Sequence, residues 1–473
     1  MATAIEDQEK ILKDLLKTGK LTEFGKEHRF SEVQNHEQFS QAVPIRDYEQ
    51  FKSYIERIKE GKHNVLWKGR PIYFAKTSGT TSGVKYIPIS KDSISNHINT
   101  ARNALLSYIA ESGNTKFTAG KMIFLSGSPE LERIGDIPTG RLSGIVNHHV
   151  PSYLRRNQLP SYETNCIDDW ETKLDKIVEE TISQDMSLIS GIPPWMQMYY
   201  DRLVQKTGKK IKDIFPNLSV IVHGGVNFEP YKSKIFDSIG APVASIETFP
   251  SSEGFIAFQD SQEAEGLLLN TDSGIFFEFI PAGEVFNENP TRLSLKDVKV
   301  GENYALIINN NAGLWGYNIG DTVRFVSTDP HRIVVTGRIK HFISAFGEHV
   351  IGEEVEYSLM KAAEEENIHI TEFTVAPLIG DPRSYHEWFV EFENKPGDLK
   401  RFAQKVNDNL RRKNIYYDDL INGNILAPLN IRPIRKNGFI DYMKSIGKLG
   451  GQNKVPRLSN DRKIAEVLER FAE

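Results

Sequence analysis

The sequence predicts an α/β protein in two parts. A large N-terminal domain has mixed, largely parallel sheets and a strand-rich subdomain, and a small α+β domain follows it. Three observations carry this. Between about residues 120 and 250, short apolar runs alternate with amphipathic helical patterns, which implies right-handed crossovers and buried parallel strands. From about 254 to 337, strand patterns follow one another, separated by turn residues. Past Gly337 helices and strands mix again, so the boundary falls near Lys340, with 1–339 and 340–473 as the two domains.

The elements follow in chain order. Ile11, Leu12, Leu15 and Leu16 recur at helical spacing, as do Tyr48, Phe51, Tyr54 and Ile55. KMIFLSG (121–127) reads as a strand, 169–182 as an amphipathic helix and SLIS (187–190) as a short strand. PPWMQMYYDRLVQ (193–205) opens a helix with proline in its first turn, where the missing N–H costs little. LSVIVHGG (218–225) is a buried strand, and the helix after it stops at Gly240 before the strand VASIETF (243–249). Strands at 274–280, 303–309, 322–327 and 332–337 form the strand-rich part. The last part reads as a helix near 352–364, strands near 368–377 and 386–393, a helix at 398–412 and a strand near 425–433.

Composition excludes several classes. The chain has 473 residues, 58 Lys and Arg against 63 Asp and Glu, and a net charge of −5, which argues against a general nucleic-acid binder but allows a local phosphate pocket. Cys166 is the only cysteine, so there is no disulfide framework, thiolate metal cluster or redox pair. The histidines, His148 and His149 included, lack zinc-ligand spacing. No run approaches the roughly 18 apolar residues of a membrane span, and MATAIEDQEK has no secretory pattern. The expectation is a cytoplasmic protein without membrane or nucleic-acid partners; the lack of heptads suggests a monomer.

The densest chemistry lies in FAKTSGTTSGVKYIP (74–88), where two glycines, five hydroxyls and Lys85 can present N–H, O–H and charge to a polyphosphate. Three residues separate Gly79 from Gly83, so this is not a Walker A loop. The alternative is a polar loop between helices. ETFPSSEGF (247–255) follows a strand, where ligands of open α/β sheets usually bind. Glu253 there either holds Mg²⁺ or caps a turn, and Phe249 either lies against a flat ring or belongs to the core. In HGGVNFEP (223–230), Gly224 and Gly225 either admit a flat base or make a turn. Asp321, in GLWGYNIGDTVRF at the head of a strand, either accepts two ribose hydroxyls or sits in a turn. GKLGGQNKVPRLS (447–459) is an exposed cationic loop or a mobile arm that brings Lys454 to an anion.

Taken in order, these segments resemble the adenylate-forming superfamily, and the FPSSE, YNIGD and NKVPR segments are most similar to the auxin-responsive Gretchen Hagen family of acyl acid–amido synthetases. The likeness runs from about residue 70 to 460. It implies that Thr77, Ser78, Gly79, Thr80, Thr81, Gly83 and Lys85 bind the phosphates of ATP. Gly224, Gly225, Val226, Phe249, Ser251, Ser252 and Asp321 would hold adenine and ribose, and Glu253 the Mg²⁺. Lys454 would be the catalytic lysine, Arg338 and Lys340 the hinge of a mobile C-terminal domain, and Arg141 either an acyl-acid contact or a surface residue. Phe249-Pro250 replaces the plant Tyr-x of that motif, and Asn318 replaces an arginine, which points to a bacterial-type member with its own acid.

The implied activity adenylates a carboxylic acid with ATP and Mg²⁺ and passes the acyl group to an amine, most simply an amino acid. The alternatives are an acyl-CoA ligase with the same first half-reaction and a nucleotide-binding protein without turnover.

Overall fold

Helix formation at the start of the chain follows the apolar spacing. Ala4–Gly19 buries Leu12, Leu15 and Leu16, and Tyr48–Lys59 buries Phe51, Tyr54 and Ile55 behind an Asp47–Gln50 capping box. The structure, a computed structural model, describes residues 3–78, 84–150, 152–226, 228–339, 342–343, 350–379, 384–422, 426–450, 454–459 and 461–473. Contacts divide the chain into two units, 1–225 with 238–335 and 226–237 with 336–473.

In chain order the strands of the first part are β1 (Tyr73–Ser78), β2 (Val84–Ile89), β3 (Lys121–Phe124), β4 (Glu132–Ile134), β5 (Ile137–Gly140), β6 (Gln158–Leu159), β7 (Met186–Gly191) and β8 (Val220–Gly224). They continue as β9 (Ala244–Ser251), β10 (Gly254–Phe258), β11 (Leu267–Leu269), β12 (Ile275–Pro281), β13 (Asn303–Asn310), β14 (Tyr317–Thr328) and β15 (His331–Arg338). Eleven of them form one sheet in the order β12-β13-β14-β15-β11-β10-β9-β8-β7-β3-β6. From β6 to β9 the pairing is parallel; the β9–β10, β10–β11, β11–β15, β12–β13 and β13–β14 pairings are antiparallel. A smaller sheet has the order β2-β1-β5-β4. Pro88 lies on β2, its edge strand, where a missing N–H breaks no ladder. The N-terminal helices pack on the antiparallel half around fully buried Trp315, which meets Phe30 edge-on at 4.8 Å between centroids.

In the C-terminal unit, β16 (Phe342–Ile343) pairs with β17 (Val350–Ile351). β18 (Ile370–Leu378) runs antiparallel to β19 (Tyr385–Phe392), which runs parallel to β20 (Asn430–Ile434). Successive side chains of β19 point to opposite faces. Trp388 and Val390 join one core with Val355, Leu359, Phe402 and Val406, and Phe389 joins a second core with Phe439, Tyr442 and Leu468. Helices Ile415–Asn422 and Gly438–Ser445 add to the sequence-predicted set. No described helix is long and apolar enough to cross a membrane.

Candidate functional site

The hydroxyl-rich segment begins and ends in paired strands. β1 and β2 are antiparallel, with Thr77 opposite Lys85 and Ser78 opposite Val84. Strands, not helices, therefore flank the segment. Gly79, Thr80, Thr81, Ser82 and Gly83 lie outside the described residues, as does Lys340 of the predicted hinge. Lys85 approaches the ring of Tyr48, 5.6 Å from its centroid, and the Tyr48 hydroxyl accepts from the Tyr86 N–H at 2.8 Å.

Glu253 occupies the tight connection between β9 and β10, where Ser251 pairs with Gly254. The Ser251 hydroxyl donates to Glu253 Oε2 at 2.6 Å and accepts from the Glu253 N–H at 3.1 Å. The Tyr317 hydroxyl lies 3.4 Å from Glu253 Oε1, and the Asn310 amide donates to the Glu253 carbonyl at 2.7 Å. Burial pushes the Tyr317 phenol well above its usual range, and the negative charge of Glu253 adds to that, so it stays a donor. The turn is thus capped, and the same contacts hold its carboxylate in one orientation. Phe249 is 8% exposed and packs in the large N-terminal core.

The glycines at the end of β8 have two separate reasons. A Cβ on Gly224 would lie 2.2 Å from the Thr248 carbonyl oxygen on neighbouring β9, and Gly225 has φ 79°. Both segments leave parallel strands at their carboxyl ends, the crevice where open α/β sheets bind ligands. Asp321 is not at the head of a strand: β14 already begins at Tyr317. It lies on an irregularity where Asn318 to Thr322 face Ile307 to Ala305, with Gly320 at φ 84°. Such a bulge re-aims side chains out of the ladder. The bulge also connects two motifs, because its strand supplies the Tyr317 that reaches Glu253.

Arg141 lies at the start of helix Leu142–Asn147 and shares a cavity of about 670 Å³ with Thr77, Lys76, Ser128, Thr139 and Tyr162. Burial lowers the Arg141 pKa. Gly127 leaves room for its side chain, since a Cβ there would lie 2.7 Å from Arg141 Cδ. Behind Ser126, the buried Lys173 ammonium donates to the Ser126 and Asn165 carbonyls at 2.9 and 2.7 Å, and burial brings its pKa down to about 8. No sequence signal marks Lys173 or Asn310; Tyr48 reads only as a helix-face residue, and Tyr317 lies in the same segment as Asp321.

In the C-terminal unit Lys454 is exposed. Arg457, expected among exposed or mobile cations, is instead largely buried, with its guanidinium on Glu356 and Glu372. Among the described residues no three His, Cys, Asp or Glu side chains cluster as a metal cage.

The chain spans about nine tenths of the curated relatives it matches. It is similar to a probable indole-3-acetic acid-amido synthetase, GH3.1, of Arabidopsis thaliana, 23% identical over 98% of this chain and 90% of that protein. It is also similar to the jasmonoyl-L-amino acid synthetase JAR6 of Nicotiana attenuata, 22% identical over 95% and 90%. Among solved structures it superposes on the GH3.15 acyl acid amido synthetase with a TM-score of 0.82 at 16% identity, covering 99% of this chain and 94% of that one. A 2-hydroxyisobutyryl-CoA ligase in complex with 2-HIB-AMP gives 0.64 at 12% identity, over 97% and 90%. The family models for the GH3 N-terminal, central and C-terminal domains match residues 1–168, 268–338 and 353–463. By these three matches in their family order, the chain belongs to the GH3 family.

Proposed function

We propose that the protein is an ATP-dependent acyl acid–amido synthetase: it adenylates a carboxylic acid and passes the acyl group to an amine, in the first instance an amino acid. The observation that carries this is the Glu253 carboxylate, held by Ser251 and Tyr317 in a chain of the GH3 family. One oriented carboxylate suits Mg²⁺, which binds through one or two carboxylates and takes its remaining ligands from phosphate oxygens and water. The ion would screen charge on the transferred phosphate.

Each assigned residue then has a stated task. Thr77 to Lys85 hold the β- and γ-phosphates through N–H, hydroxyl and ammonium donors. Asp321 accepts the ribose hydroxyls, while Gly224, Gly225, Val226, Ser251 and Ser252 shape the adenine side and Phe249 stays in the core. Arg141 in the 670 Å³ cavity holds the acid carboxylate. Lys454 bridges the acid oxygen and the α-phosphate, so that two anions approach and the charge spread over the phosphoryl oxygens is met. Pyrophosphate leaves; the amine nitrogen then attacks the acyl carbonyl and AMP departs. Arg338 and Lys340 serve as the hinge of the unit that carries Lys454.

The test is ATP–pyrophosphate exchange over aromatic, indolic and fatty acids, followed by amino-acid acceptors. Lys454→Ala should lower exchange by about two to three orders of magnitude with an unchanged melting curve. Exchange that survives this change removes Lys454 from the reaction. A thioester with CoA in place of an amide overturns the acceptor assignment.

A further inference from the structure

We infer that Arg457 is the positioning residue of Lys454, acting through a buried clamp that includes Tyr231; this rests on the adenylation role proposed for Lys454. Arg457 Nε donates to Glu356 Oε1 at 3.0 Å, one terminal nitrogen donates to Glu372, and the other to the Tyr231 hydroxyl at 3.1 Å. That hydroxyl donates in turn to Glu372 Oε2 at 2.7 Å. The guanidinium also stacks over Phe373, 4.6 Å from its centroid. A planar fork used on three partners and a ring is a geometry that lysine cannot supply.

The clamp fixes backbone as well as charge. The Thr374 hydroxyl donates to the Pro456 carbonyl at 2.6 Å, and Val375 exchanges backbone bonds with Arg457 and Ser459 at 2.9 Å each. Leu458 is fully buried between them. Residues 456–459 are therefore stitched to β18, and Lys454 lies two positions before the first stitch. Its ammonium ends a flexible four-carbon stem, so the reach and direction of the charge depend on where its Cα is held. A displacement of 1 Å at a reacting group can cost about 100-fold in rate. Glu356 and Glu372 outnumber Arg457 in the clamp, so removal of its charge would leave two buried carboxylates. Substitutions that keep the charge or touch only the phenol therefore separate positioning from folding.

The experiment compares Arg457→Lys and Tyr231→Phe with the parent, alone and in the Lys454→Ala background. Exchange kinetics, melting temperature, and amide formation from preformed acyl-adenylate are measured. Arg457→Lys should lower the exchange kcat roughly 10- to 100-fold, with the KM for ATP within about twofold and transfer from preformed adenylate unchanged. Tyr231→Phe, which loses only a hydroxyl, should lower exchange about threefold to tenfold at near-parent melting temperature. Neither change should lower the residual rate of Lys454→Ala further. The inference is overturned if both variants keep the parent exchange kcat, if both half-reactions fall together, or if the losses multiply with Lys454→Ala. An active Lys454→Ala overturns the reading of Lys454 itself, whereas an inactive Lys454→Ala beside a fully active Arg457→Lys overturns the clamp alone.

Discussion

At the residue scale, Glu278 is a buried charge whose partners decide its protonation. It is fully buried on β12, where Arg292 reaches both its oxygens at 3.0 and 2.6 Å, His36 lies at 2.9 Å and the Asn309 amide donates at 2.9 Å. Burial alone would raise its pKa; the Arg292 charge and the donors around it hold it instead at about 2, below the usual carboxylate range. The group therefore adds stability that is complete above about pH 4.5 and drains away as pH falls toward 2. Glu278→Gln should cost about 3–5 kcal/mol in urea unfolding at neutral pH, because it leaves the Arg292 charge buried without its partner. It should also flatten the acid limb of the stability curve. In the sequence this glutamate merely interrupts the apolar run IFFEFI, and its partners are brought in from a distant helix and a loop. Lys454 stood in a motif that announced it; the buried pair Glu278 and Arg292 had none, and NKVPR does not tell that Arg457 is enclosed, since a charge looks alike in sequence whether solvated or enclosed.

At the element scale, the parallel strands β3, β7, β8 and β9 were legible because each is a short apolar run with a glycine or proline close behind it, whereas the two-residue β6 was not. The helix Ile94–Ser112 was not. Its buried stripe is Asn96, His97, Thr100, Ala104 and Tyr108, and Leu106 faces solvent. Hydrophobic periodicity cannot find a helix whose inward face is polar. Asn96 accepts from the Phe255 N–H at 2.7 Å and donates to Ser273, so that face is anchored by hydrogen bonds to β10 and its surroundings. Glycines inside the strands make a sharper prediction. Gly224→Ala would drive a methyl group into the Thr248 carbonyl on β9, a backbone atom that cannot step aside, and should cost about 1–3 kcal/mol of global stability. Gly320→Ala meets no neighbour within 4 Å and pays only for φ 84°, about 1–2 kcal/mol. Melting of the two variants tests the order, and a harsher effect at Gly320 would refute the steric account of Gly224.

At the scale of the whole molecule, a hinge at Arg338 and Lys340 would be needed more for the complete reaction than for its first half. Lys340→Pro, which fixes the backbone at the proposed hinge, should slow complete amide synthesis several-fold more than ATP–pyrophosphate exchange. Equal effects on both would place the slow step elsewhere. The C-terminal unit takes in residues 226–237 as well as 336–473, and Tyr231 and Ile235 of that short stretch are buried. A single crossover near residue 340 would therefore join a foreign β18 to a native Tyr231 and break a hydrogen-bonded partnership that no breakpoint map drawn on the sequence would reveal. Grafting this unit between relatives needs two inserts, exchanged together.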